Sequence, residues 1–100
     1  MRIVVTGKHI EITEPIRTYA ESKCGKLPRY FDGTQLIQVL CEELKHGEFR
    51  VEVLCDVEKH PDFVASGTGD DLYKCIDQAV DKVARQLTDF KERLKQEKQR

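Results

Sequence analysis

No apolar run in this 100-residue chain approaches the ~20 residues that cross a bilayer. Its opening, Met1-Arg2-Ile3-Val4-Val5, turns polar too soon for a signal peptide. A membrane partner is therefore not expected, and the chain reads as cytoplasmic. The four cysteines, Cys24, Cys41, Cys55 and Cys75, form no CxxC pair, and none has a histidine at ligand spacing. A phosphate-cradling loop is missing as well, because Gly67-Thr68-Gly69 lacks the third glycine and the lysine of such motifs. The three histidines, His9, His46 and His60, all fall in expected loops. A cysteine–histidine nucleophile pair is opposed by the pattern. It puts Cys41 and Cys55 on an apolar strand face, and Cys24 and Cys75 on or beside apolar helix stripes. Four core thiols are the plain reading; a thiol metal site between sheet and helices is the alternative. No catalytic residue, metal ligand or cofactor is assigned, and the chain is not expected to be an enzyme.

What is present fits one globular domain. A chain of this length buries ~60–65% of its unfolded surface, enough for a single core without disulfides. Apolar residues make up 39% and charged residues 35%, a soluble balance. The domain is expected over residues 1–95, followed by a polar tail over 96–100. Net charge is −1, but the charges are segregated. Residues 42–62 hold seven acids against three bases, whereas residues 80–100 hold seven bases against four acids. A near-neutral protein can therefore still present a basic face.

The hydrophobic periods predict β-α-β-β-β-α. Arg2 to Thr6 is β-branched and closed by Gly7. Thr13-Glu14-Pro15 carries a hydroxyl cap, an early acid and a first-turn proline, so a helix starts there and runs to about Lys26 or Leu27. Leu36 to Leu44 and Phe49 to Glu58 are strands around a Lys45–Glu48 hairpin loop, the second alternating with a period of two. Phe63 to Thr68 is a fourth strand. Gly69-Asp70-Asp71 then opens a helix whose stripe is Leu72, Ile76, Ala79, Val83, Leu87, Phe90 and Leu94. The fold class is α+β, a four-stranded sheet with both helices on one face.

The basic side chains carry the functional signal. Lys74, Gln78, Lys82, Arg85 and Arg93 share a flank of the last helix, and Lys23, Lys26 and Arg29 lie at or beyond the margin of the first. If the helices pack side by side, these flanks join into a cationic platform for phosphates. An ordinary solvated helix surface stands beside that reading. The aromatics add nothing to it: Tyr19, Phe49, Phe63 and Phe90 sit on core stripes and Tyr30-Phe31 caps the core. The outward sheet face, with Arg50, Glu52, Asp56 and Glu58, is a poor base-stacking platform.

Three stretches carry a family resemblance. Gly7-Lys8-His9-Ile10-Glu11-Ile12-Thr13-Glu14 with Ile16-Arg17, and Lys23-Cys24-Gly25-Lys26-Leu27-Pro28-Arg29-Tyr30-Phe31, come first. Asp71-Leu72-Tyr73, Ile76-Asp77, Asp81-Lys82, Arg85-Gln86-Leu87, Lys91, Arg93 and Lys95 complete them. Together they resemble the ribosome-hibernation-promoting and ribosome-associated-inhibitor family, also called sigma-modulation-like, over essentially the whole chain. The resemblance implies a fold like the double-stranded-RNA-binding domain, and a factor of slow growth or stress. Such a factor occupies the decoding region of the small ribosomal subunit and blocks translation. Carried over by position, it implies ribosomal-RNA contacts at Lys23, Lys26, Arg29, Lys82, Arg85, Gln86, Lys91, Arg93 and Lys95. It also implies a monomer off the ribosome, of the short form, with a ribosome modulation factor as a further partner. The alternatives are the N-terminal domain of a long, ribosome-pairing member, and a protein-interaction domain acting on a sigma factor.

Overall fold

The computed structural model of the chain describes residues 1–98. The strands are β1 (Arg2–Lys8), β2 (Thr34–Glu43), β3 (Phe49–Val57) and β4 (Phe63–Gly69), and the helices are α1 (Glu14–Cys24) and α2 (Leu72–Lys98). The sheet order is β1-β2-β3-β4, with β1 parallel to β2 and the remaining pairs antiparallel. The parallel pair follows from the helical crossover between β1 and β2, while short connections make the others hairpins. This is the expected β-α-β-β-β-α fold.

Local chemistry sets the element ends. Thr13 has extended φ/ψ and its hydroxyl accepts from the Ile16 N–H at 3.4 Å, the N-cap geometry that the sequence predicts. Helix α1 ends at Cys24 rather than at Lys26 or Leu27. Pro28, at the second position of a 3-10 turn over Leu27–Arg29, carries the chain away while burying Leu27. Asp71 caps α2, its carboxylate accepting from the N–H groups of Tyr73 (3.0 Å) and Lys74 (3.4 Å). The Lys45–Glu48 loop contains a 3-10 turn in which His46 adopts φ 63°. Helix α2 continues to Lys98, so Gln96, Glu97 and Lys98 of the expected tail are helical. Gln99 and Arg100 lie outside the described residues.

The core fills one side of the sheet. Val5, Ile37, Val39, Cys41, Val51, Val53, Cys55 and Phe63 point into it, facing Ile16, Ala20, Cys24 and Leu27 from the α1 side. Leu72, Ile76, Ala79, Val83 and Leu87 of α2 complete it. Gly67 lets α2 approach β4. A Cβ there would lie 2.5 Å from the Cys75 carbonyl oxygen and 2.8 Å from the Cβ of Gln78. His60 stacks on Phe63 and also meets Phe90, at 4.4 Å between ring centroids in each case. All four cysteines are free and buried. Loss of hydration pushes the Cys24 thiol up to about 12 and the Cys41 thiol up to about 11, the opposite of what an activated nucleophile needs. Among the described residues no cluster of side chains suited to hold a metal ion occurs, and no helix is long and apolar enough to cross a membrane.

Candidate nucleic-acid interface

The helical layer is built around α2, whose 27 residues extend about 40 Å at the usual rise. Its first half is embedded: seven side chains from Leu72 to Leu87 are buried (Leu72, Cys75, Ile76, Ala79, Val80, Val83, Leu87). Beyond Leu87, only Phe90 and Leu94 among the described side chains are even partly covered, so these turns stand proud of the sheet. Lys91, Arg93 and Lys95 lie on that projecting half and are exposed.

Two sets of contacts orient the helix. Lys82 Nζ donates to the Ser66 carbonyl at 2.8 Å, and Gln86 Nε2, one turn later, donates to the Val64 carbonyl at 3.2 Å. Because β4 is an edge strand, these are backbone acceptors with no strand partner on that side, and the two side chains close the edge. On the opposite flank Tyr19 donates to Asp77 Oδ1 at 2.7 Å, and its ring meets Tyr73 edge-on at 4.9 Å. The Lys23 ammonium lies 3.4 Å from the same carboxylate oxygen and 5.5 Å from the Tyr19 ring centroid. The hydrogen bond to Asp77, then burial, then the charges of Asp77, Asp71 and Asp81 all raise the Tyr19 phenol. Three acids therefore line the seam between the helices.

The expected single platform is consequently divided. The flank containing Lys82, Gln86 and Arg93 runs along β4, away from α1. At about 100° per residue Arg85 points outward, and Lys91 and Lys95 point to the α1 side. The reason is the apolar stripe of α2, which seats it over β3 and β4 and leaves its Tyr73–Asp77 flank to meet α1. The two basic regions approach each other only near the far end. There Phe31 packs on Phe90 at 5.2 Å and brings the 3-10 turn, with exposed Arg29 in it and exposed Lys26 just before it, against α2 near Lys91.

The nine candidate residues thus differ in state. Lys23 is half-buried and compensated by Asp77. Lys82 and Gln86 are held by β4 carbonyls, although an ammonium has three protons and an amide two, so each keeps a donor free for a second acceptor. Lys26, Arg29, Arg85, Lys91, Arg93 and Lys95 are exposed and make no ion pair among the described residues. These six cations share the helical layer with exposed Asp81, Asp89, Glu92 and Glu97, yet each is free to meet a phosphate without first giving up a protein partner.

The opposite side of the sheet departs from expectation. The expected Arg50, Glu52 and Asp56 are there, but so are Val4, Leu36, Leu40, Leu54 and Val64, which the strand registers place on the same face. Glu58 falls past the end of β3, where Gln35 donates to it at 3.3 Å. The aliphatic residues at even positions of β1 to β4 were the available signal, masked by the charges interleaved with them.

The architecture is a four-stranded sheet with both helices on one side and exposed lysine and arginine along the helical layer. The chain belongs to the family described as Sigma 54 modulation protein / S30EA ribosomal protein, whose model matches residues 3–95. It is 38% identical over 98 residues to a ribosome hibernation promoting factor of Escherichia coli, covering 96% of this chain and 99% of that one. A ribosome hibernation promoting factor of Pseudomonas putida is 31% identical over 93 residues, covering 93% and 89% of the two chains. Among solved structures, the Thermus thermophilus Protein Y N-terminal domain superposes with a TM-score of 0.76 at 30% identity, covering 89% of this chain and 94% of that one. A ribosomal subunit interface protein from Coxiella burnetii, at 23% identity, has the same fold with a TM-score of 0.83 over 92% of this chain and 99% of its own.

Proposed function

We propose that this protein is a ribosome hibernation factor that binds the small ribosomal subunit through its helical layer. It contacts ribosomal RNA in the decoding region and blocks translation by occupying the path of messenger and transfer RNA. The observation that carries this reading is the set of six exposed cations that make no ion pair among the described residues, Lys26, Arg29, Arg85, Lys91, Arg93 and Lys95. The names of the E. coli and P. putida relatives support it. Lys82 and Gln86 act as positioned donors, held by β4 and offering their remaining protons to phosphate or base edges. Lys23 serves chiefly as the cation that neutralises Asp77 at the helix seam, and so keeps the acidic seam from repelling RNA. Inhibition is steric and needs no chemistry.

Two assays test the proposal together: chemical footprinting of small-subunit RNA, and initiation on a leaderless messenger. Protection of decoding-region nucleotides, with inhibition relieved by excess messenger and initiator transfer RNA, is expected. Binding that leaves those nucleotides reactive would refute the placement, and inhibition indifferent to messenger concentration would refute occlusion.

A further inference from the structure

The open face of the sheet differs in chemistry from the helical layer. Along one row across the sheet the registers set Val4 beside Gln38, Leu54 and Val64; on either side of that row lie Leu36 and Leu40. Leu40 is 41% exposed and Val64 44% exposed. Two shallow clefts mark the same face. One, of about 220 Å³, is lined by Thr6, Lys8, Leu40, Glu42, Arg50 and Glu52 together with backbone of Gly7 and Cys41. The other, of about 160 Å³, is lined by Leu36, Gln38, Leu54, Asp56 and Asp62.

Charge decides what such a face can take. In the first cleft the cations are already matched, Lys8 with Glu42 at 3.4 Å and Arg50 with Glu52 at 3.5 Å. In the second, Asp56 and Asp62 make no ion pair among the described residues. Aliphatic side chains offer no ring for a base to stack on, and unpaired carboxylates repel phosphate, so this face is unsuited to RNA. Leucine and valine beside free carboxylates suit a polypeptide that brings its own aliphatic side chains together with lysine or arginine.

We propose that the open sheet face is a second contact surface, which takes a basic polypeptide segment bearing aliphatic side chains, with a cation of that segment seated at Asp56 and Asp62. The protein is then two-sided, gripping RNA with its helices and a basic protein segment with its sheet. In a ribosomal particle, where RNA and basic proteins lie side by side, both surfaces can be used at once. The inference rests on the ribosomal reading for where that segment comes from.

The test is site-specific photocrosslinking on purified small subunits, with a benzoyl-phenylalanine replacing Val64 in one sample and Arg85 in another. Position 85 is expected to crosslink to ribosomal RNA and position 64 to a lysine- or arginine-rich segment of a ribosomal protein. Adding Leu40→Lys and Asp56→Lys, both on the sheet surface, should lower the position-64 yield at least tenfold and leave the position-85 yield unchanged. If position 85 crosslinks while position 64 yields RNA, a second copy of this chain or nothing, the sheet-face inference is overturned and the ribosomal reading stands. An unchanged position-64 yield in the double variant overturns it equally. If neither position crosslinks, the ribosomal reading fails and this inference falls with it.

Discussion

The two exposed sides of the molecule obey different rules. On the helical side exposed lysines and arginines stand among exposed acids such as Asp81, Asp89 and Glu92, and most apolar residues are turned inward, so little aliphatic surface shows. On the open sheet side Lys8 and Arg50 are matched by neighbouring acids while Arg2, Asp56 and Asp62 make no ion pair among the described residues, and leucine and valine remain in the open. Both sides are backed by one core, and packing constrains only the residues that point into it. The difference is therefore not one that the fold itself needs.

The largest expected effect breaks both sides at once by breaking the core. Burial holds Cys24 up to about 12 and Cys41 up to about 11, against 9.0 for a free thiol. Above pH 9 the unfolded chain loses these two protons while the folded chain keeps them, so folding stability falls as pH rises toward 11–12. Each thiol contributes a loss of about 1.4 kcal/mol per pH unit in that window. Urea denaturation between pH 8 and 10.5 should show the decline, with a shallower slope in a Cys24→Ala/Cys41→Ala variant. Parallel slopes would contradict the assigned cause.

A nearly equal loss is expected from Gly67→Val. The added side chain collides with the Cys75 carbonyl and prises α2 from β4, costing about 3 kcal/mol in thermal or chemical denaturation. Smaller again is the loss of the edge closure. Lys82→Ala with Gln86→Ala removes two hydrogen bonds to β4, each worth about 0.5–1.5 kcal/mol. It also frees a strand edge, so light scattering on warming should rise before that of the parent. Arg85→Ala, which has no such partner, should change neither stability nor scattering.

Much of the fold was legible because its signals were local. Thr13 ahead of Pro15, the period of two from Phe49 to Val57, and the stripe from Leu72 to Leu94 each need only neighbouring residues to be read. What escaped depends on tertiary placement. No spacing along α2 says that Lys82 and Gln86 curl round the edge of β4, or that Asp77 takes Lys23 as its partner. Nor could periodicity show that Lys91 and Lys95, rather than Lys82 and Arg85, face the α1 side, since that turns on how the stripe is seated over β3 and β4. The identities of the basic residues were visible in the sequence. Their division into free, anchored and neutralised groups was not.

That division is the account's central claim, and it is tested by co-sedimentation with purified small subunits over a salt series. With the six free cations each meeting one phosphate, the log–log slope should be about −4 to −5 for the parent protein. Lys26→Glu/Arg29→Glu/Lys91→Glu/Lys95→Glu should retain the parent melting temperature and flatten the slope to about −2. Lys23→Ala should leave the slope within about one unit of the parent. Equal slopes in parent and quadruple variant, or a steep loss from Lys23→Ala, would contradict the account.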